Sequence, residues 1–319
     1  KKSRLWAGKY LSRGQLVDGQ LTLRASLDEL VNRVPRTPLR ADALQLDLSF
    51  EDLDVQYLKD MPPIQGTHAA LRLNGEGLQV TAQGGTIALP EFAGETPPPL
   101  EISEARFDID KFWVPGLPAK LRLTAEGSVP AVLREINKPP LRALRNLKFD
   151  TNRLQGDFAG TVDLSFNLAN KVLRKPVDYA FDGRFSDLSV DGKLGRYQIS
   201  NGRSHISLHN KGMVIAGRAV ANDVDLGFEW RQPFGAKGQG MAGSRLALNA
   251  DLSPQNAVDL GFDWAGTRFE GALGVRLLVE GPLDRPTDYR VTVDAGTAKL
   301  LPVPLAYEKP MGQASRIDA

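Results

Sequence analysis

The chain has 319 residues, 40 Lys+Arg against 38 Asp+Glu, a formal net charge of +2, no cysteine and 42% apolar residues. A near-neutral balance without a basic cluster argues against a nucleic-acid backbone as partner, which takes about 6–10 grouped phosphate contacts, and the lack of cysteine excludes disulfides, thiolate metal sites and a Cys nucleophile. Charge-free runs such as Gly77 to Pro90 fall short of the roughly 18–20 apolar residues of a spanning helix.

The chain opens on Lys1 with no apolar stretch behind its first basic residues, so it reads as a fragment, with any signal peptide removed or never part of it. Asp18-Gly19, Asn74-Gly75, Gly84-Gly85, Asp191-Gly192 and Asn201-Gly202 tolerate positive φ and predict tight hairpins. Ser26 to Val34 predicts a short helix, with Ser26 as cap and Glu29 placed as in a capping box. At Leu46 the segment LDLSFED introduces an apolar-Asp-apolar-small-Phe pattern that returns as VDLSFNL at Val162, VDLGFEW at Val224 and VDLGFDW at Val258. The unequal spacing excludes a fixed-period solenoid and points to one strand solution used repeatedly. Asp47, Asp163, Asp225 and Asp259 fall opposite the Phe and read as solvated outer-face residues.

Strict alternation is clearest from Thr161 to Leu168, where Val162, Leu164, Phe166 and Leu168 are apolar and the residues between them polar. It recurs at Leu71 and Leu73, at Leu121 and Leu123, at Leu246, Leu248, Ala250 and Leu252, and at Leu273, Val275, Leu277 and Val279. Helical periodicity is scarce beyond Pro130 to Asn137, with a further turn or two carrying Leu141, Leu144 and Leu147 after Pro139-Pro140. Arg134, Lys138, Arg142, Arg145 and Lys148 read as a solvated helix face, with anionic headgroups as the alternative.

Catalytic and metal chemistry has little foothold. His205 and His209 stand four apart, but in a strand context that puts the rings roughly 13 Å from each other, too far to share one ion; His68 adjoins a turn. GQGMAG, Gly238 to Gly243, matches the letters of a dinucleotide fingerprint, yet it opens an alternating strand and not a helix, so it reads as a hairpin loop. No nucleophile elbow, Walker loop or H-E-x-x-H motif is present. The prediction is a non-enzyme with no cofactor and no metal.

The expected fold is all-β with few short helices: an elongated, curved, mainly antiparallel sheet of about 18–22 strands, running from 1 to 319 as one continuous piece with helical insertions near 26–34 and 130–147. Aromatics make only 7% of the chain, and its apolar positions are mainly Leu, Val and Ala. That suits a wide sheet whose concave side its own residues fill incompletely, a hydrophobic groove selecting acyl chains by solvation at about 0.8 kcal/mol per methylene. The candidate lining is Leu71, Leu73, Leu121, Leu123, Val162, Leu164, Phe166, Leu168, Leu246, Leu248, Val258, Leu260, Phe262, Val275, Leu277 and Val279.

Three segments carry a resemblance. Leu53 to Ile87 (LDVQYLKDMPPIQGTHAALRLNGEGLQVTAQGGTI) resembles the central domain of the AsmA-like family of the YhdP and TamB type, with an aromatic-leucine step, a Pro-Pro pair and two amphipathic strands ending in Gly-Gly. Val114 to Leu141 and Val303 to Ser315 are similar to two further stretches of that domain, with Tyr307 where Trp is more usual. The resemblance implies a periplasmic segment of a bridge-like lipid transfer protein, anchored in the inner membrane by a part outside this fragment. It implies phospholipids as cargo, further β-groove segments as continuation and an outer-membrane protein as a possible partner. A structural or chaperone-like module assisting outer-membrane protein assembly is the alternative, offering sheet edges for strand addition. A carbohydrate enzyme would instead need a polar cleft with two facing carboxylates.

Overall fold

The computed structural model describes residues 11–26, 39–56, 62–91, 98–138, 150–168, 177–234, 243–260, 267–281, 287–302 and 308–318. About 67% strand against 7% helix makes the protein all-β with few helices, as expected, and its sheets are antiparallel. The chain divides into two compact units, Lys1–Thr151 with Phe158–Asp182 and Asn152–Asp157 with Gly183–Ala319.

The first unit is a meander of β1 (Leu11–Leu23), β2 (Leu44–Val55), β3 (Ile64–Asn74), β4 (Leu78–Gln83), β5 (Thr86–Ile87), β6 (Leu100–Ile109) and β7 (Pro118–Ser128). It also takes residues 158–167 of β8 (Leu154–Asn167) and 178–182 of β9 (Asp178–Val190). Antiparallel register aligns the apolar positions into cross-strand rows. One row runs Leu21, Leu46, Leu73, Leu78, Ile109 and the next Leu48, Leu71, Val80, Phe107, Leu121. Directly opposed residues share a face, so a slip by one position would turn every leucine outward. Polar partners hold the other face: Arg122 grips Asp163 through Nε and Nη2 at 2.7 and 3.1 Å, and the Thr124 and Thr161 hydroxyls stand 3.2 Å apart.

Helix α1 (Val129–Asn137) follows β7 directly, with Ser128 at its N-cap and proline in its first turn, where the missing N–H removes no helical bond. Lys138 precedes Pro139, which biases it to the extended conformation it adopts at the C-cap. The helix buries Val129, Ala131, Val132, Leu133 and Ile136. It matches the predicted Pro130 to Asn137; the expected continuation past Pro140, and the expected helix from Ser26 to Val34 beyond Ser26, lie outside the described residues. Ile109, Ala119, Leu121, Leu164 and Phe166 form a core cluster of this unit, while Phe158 and Phe181 stack at 5.1 Å between centroids.

The second unit is built from β10 (Lys193–Leu194), β11 (Tyr197–His209), β12 (Gly212–Ala221), β13 (Val224–Pro233), β14 (Arg245–Leu252), β16 (Leu273–Glu280), β17 (Asp288–Asp294) and β19 (Arg316–Asp318), each antiparallel to the next in that order. A separate two-stranded pair joins β15 (Thr267–Gly271) to β18 (Ala298–Pro302). Its core gathers Val224, Leu252, Ala257, Leu260, Phe269, Leu273, Val293 and Ala298. Nearby, the buried Lys309 ammonium donates to the carbonyls of Ala295, Ala298 and Pro310 at 2.7, 2.9 and 3.2 Å. Lys309→Met leaves carbonyls without their donor and is expected to cost roughly 2–4 kcal/mol of the second unit's stability, read as a lower urea midpoint.

Two sequence expectations are corrected by local geometry. Asp18-Gly19 and Asn201-Gly202 are not hairpin turns: both lie inside strands, Asp18-Gly19 paired with Ser49 and Leu48 just past a bulge at Val17 in β1, and Asn201-Gly202 within the register shift between Ser200 and Arg203 in β11, with Asn201 at φ 49°. Residues that tolerate positive φ serve a bulge as well as a turn. Asn74-Gly75 does turn, with Asn74 Oδ1 accepting from the N–H groups of Glu76 and Gly77.

The described start of the fourth copy of the Asp-Phe motif, Val258 to Leu260, is not a strand. Val258 and Asp259 end helix α2 (Pro254–Asp259), Leu260 is its C-cap, and Phe262 lies outside the described residues. The reason sits just upstream, where Ser253 and Asn256 form a reciprocal capping box and proline occupies the first turn. Those local bonds favour a helix over the strand that alternation predicts. Ser253→Ala is expected to lower the second unit's stability by about 1 kcal/mol and Ser253→Thr by much less, as measured by urea denaturation.

Candidate functional site

In the second unit the two sheet faces differ sharply. On one, Arg218, Gly227, Asn249, Arg276 and Thr292 stand in a cross-strand row. They border an open depression of about 470 Å³ together with Asp225, Asp251 and Asp294. It exists because Gly227 and Gly274 carry no side chain: a Cβ on Gly227 would meet the Asn249 amide at 2.5 Å. Ion pairs cover this side, Glu229 accepting from Arg231 Nε at 2.6 Å; that bond holds the Glu229 carboxyl below its usual range.

The opposite face is hydrocarbon. Trp230, Leu246, Val279 and Tyr289 form one row and Phe228, Leu248, Leu277 and Val291 the next. Near the core cluster Val275 and Leu273 are buried, yet Phe228, Trp230, Leu246, Leu248, Leu277 and Val291 are only half-buried and Tyr289 is exposed. The Trp230 indole N–H donates to Ser244 Oγ at 3.0 Å, which fixes the ring at one end of its row. A run of mid-strand aliphatic and aromatic side chains thus stays half-buried on this face of the sheet.

The first unit repeats this arrangement. Leu46, Leu48, Leu71, Leu73, Leu78 and Val80 are half-buried, and on β1 Leu16, Leu21 and Leu23 are 58%, 66% and 54% exposed. Toward β7 and β8, α1 covers the face and leaves a partly open cavity of about 60 Å³. On the polar side, Asp108 accepts from Arg106 Nε at 2.8 Å and from Gln79 Nε2 at 3.0 Å. Burial works against its charge, but the two hydrogen bonds and the Arg106 charge outweigh it and hold the carboxyl below the ordinary range. That contribution to stability is complete above the unfolded carboxylate range and is lost as pH falls through the folded value.

The sequence-predicted lining sorts into three groups. Leu71, Leu73, Leu123, Val162, Leu246, Leu248 and Leu277 are half-buried on apolar strand faces, and Leu168 is half-buried just past the end of β8. Leu121, Leu164, Phe166, Val275 and Val279 are buried, as is Leu260 at the end of α2, and most of these pack in the core clusters. Val258 is corrected outright: on α2 it is 67% exposed and lines no strand face. Sequence reading missed Leu46, Leu48, Val80, Phe228, Trp230 and Val291, although the Asp-Phe motif already carried the alternation of Leu46, Leu48 and Phe228.

His205 and His209 occupy exposed positions on β11, and His68 is exposed on β3. Among the described residues no three His, Asp or Glu side chains group as a metal site, and no helix is long and apolar enough to cross a membrane. Of Gly238 to Gly243 only Gly243 is described; Arg142, Arg145 and Lys148 lie outside the described residues. Comparison with protein-family models, curated proteins and solved structures returns no match.

Proposed function

We propose that this chain is a non-enzymatic segment of a bridge-like lipid transfer protein, whose apolar strand faces form a hydrophobic groove carrying phospholipid acyl chains between inner and outer membranes. The observation that carries the reading is the half-burial of neighbouring apolar residues along cross-strand rows: Leu46, Leu48, Leu71 and Leu73 in the first unit, Phe228, Leu248, Leu277 and Val291 in the second. An apolar side chain left in water forgoes about 25 cal/mol for each Å² it could bury. A contiguous row of such residues on one face marks a surface that meets another apolar partner. These rows present no converging polar groups, so solvation and not hydrogen bonding selects the occupant, and an acyl chain satisfies that demand at every position along the strands.

The AsmA-like resemblance supports the rest: a periplasmic location, an inner-membrane anchor and further β-groove segments in the full-length protein, and an outer-membrane partner. Extraction of lipid from gently purified protein, with native mass spectrometry, tests the proposal. Co-purified phospholipid at stoichiometric level is the expected result. Lipid-free protein that binds unfolded outer-membrane strands by edge pairing would favour the chaperone-like alternative.

A further inference from the structure

The polar depression of the second unit lies on the sheet face opposite the proposed acyl path, and its chemistry is independent of that path. Two rails of side chains cross the strands. Arg218, Asn249, Arg276 and Thr292 stand in one cross-strand row with Gly227 among them. Asp225, Asp251 and Asp294 lie two residues along their strands from Gly227, Asn249 and Thr292, so they share that face. The first rail offers mainly N–H donors over four strand spacings, about 19 Å, and the second offers carboxylate acceptors about 7 Å away.

Elsewhere on the polar faces opposite charges pair, as Arg122 does with Asp163 and Lys120 with Asp110. Here, among the described residues, the exposed side chains of Arg218, Asp225, Asn249, Asp251 and Arg276 form no hydrogen bond or ion pair with one another. Gly274, between Asp251 and Asp294, points the same way. Its backbone is outside the left-handed region, and an added Cβ would meet Asp294 Cβ at 3.5 Å and Asp251 Oδ1 at 3.6 Å, ordinary contacts. The register on both sides of it is unbroken. Neither conformation, packing nor a bulge requires glycine there, which leaves close approach of a ligand to the backbone.

Charge narrows the ligand. An anion meets three carboxylates, a polycation meets two guanidiniums, and an acyl chain would have to desolvate all five. Among the described residues no three acidic or histidine side chains are placed to hold a metal ion. A neutral sugar hydroxyl donates and accepts at once. A ring with hydroxyls on both edges can therefore donate to the aspartates and accept from the arginines and Asn249, with bonds strengthened by charge on both sides. A single zwitterionic head group uses one point on each rail, whereas rails that continue over four strand spacings suit a repeating chain. The volume, about 470 Å³, lies within the range of small-molecule sites, about 300–1,000 Å³.

We infer that this depression binds a neutral oligosaccharide of a few units, lying across β12, β13, β14, β16 and β17 with its hydroxyls bridging the aspartate and arginine rails.

NMR titration of the full chain, following the Asn249 side-chain amide, the Arg276 Nε–H and the Gly274 amide, tests it. The probes are maltotriose, cellotriose and xylotriose against inorganic phosphate, spermidine and phosphoethanolamine. At least one trisaccharide is expected to saturate these signals and to bind about tenfold or more tightly than each charged probe. Gly274→Ala keeps the fold, because its methyl meets only ordinary contacts, and is expected to weaken that sugar about tenfold by raising the floor of the depression. Asp251→Ala, a change at an exposed position, is expected to weaken it by about the same factor. Absence of trisaccharide binding, a charged probe as the tightest ligand, or sugar affinity unmoved by both variants overturns the assignment. Phosphoethanolamine as that tightest ligand would give the depression to a zwitterionic head group instead.

Discussion

Leu277→Arg is expected to remove acyl-chain occupancy from the second unit while that unit stays folded. Leu277 sits mid-strand in β16, opposite Leu248 on one side and Val291 on the other, and is only half-buried. An arginine there can lay its methylene stem along the sheet and keep the guanidinium in water. The protein then loses about 1 kcal/mol or less, in the range of substitutions away from a packed core. A bound acyl chain has no such freedom, because it would have to desolvate the charge in order to pass. Co-purified phospholipid and the transfer rate of a labelled phospholipid should both fall by roughly tenfold or more, with the urea midpoint nearly unchanged. Wild-type transfer by Leu277→Arg would remove the apolar face from the proposed path.

Leu164→Asp is expected to behave differently, although Leu164 shows the same alternation in sequence. It is 5% exposed and packs with Ile109, Ala119, Leu121 and Phe166. A carboxylate placed there has no cation within that cluster, and an unpaired buried charge together with the lost packing costs more than about 4 kcal/mol. The first unit should therefore unfold or show a steep loss of stability in urea. Stability within about 1 kcal/mol of wild type would mean that the cluster yields to water and that Leu164 belongs with the open face.

The contrast between Leu164 and Leu277 marks how far the sequence could be read. Both alternate with polar neighbours, and period-two alternation identifies a strand with one apolar side because successive side chains point to opposite faces. It carries no information about what lies over that side. The same gap explains Asp18-Gly19, where a dipeptide suited to a hairpin turn pairs in register with Ser49 and Leu48 inside β1, since the choice depends on whether the partner strand continues past it. Val258 departs for a local reason that was legible: Ser253, Pro254 and Asn256 carry a capping signal, but the match to three strand copies of the motif outweighed it.

The amino-acid order by itself determined the strands, their apolar and polar faces, and the exclusion of thiol chemistry, because each follows from side-chain identity and a two-residue period. Only the tertiary structure decided which leucines became core, which stayed half in water, and where α1 left a cavity. Burial depends on what folds over a face, and the elements that do so, such as α1 over β7 and α2 against its core cluster, meet it through packing that no local pattern encodes.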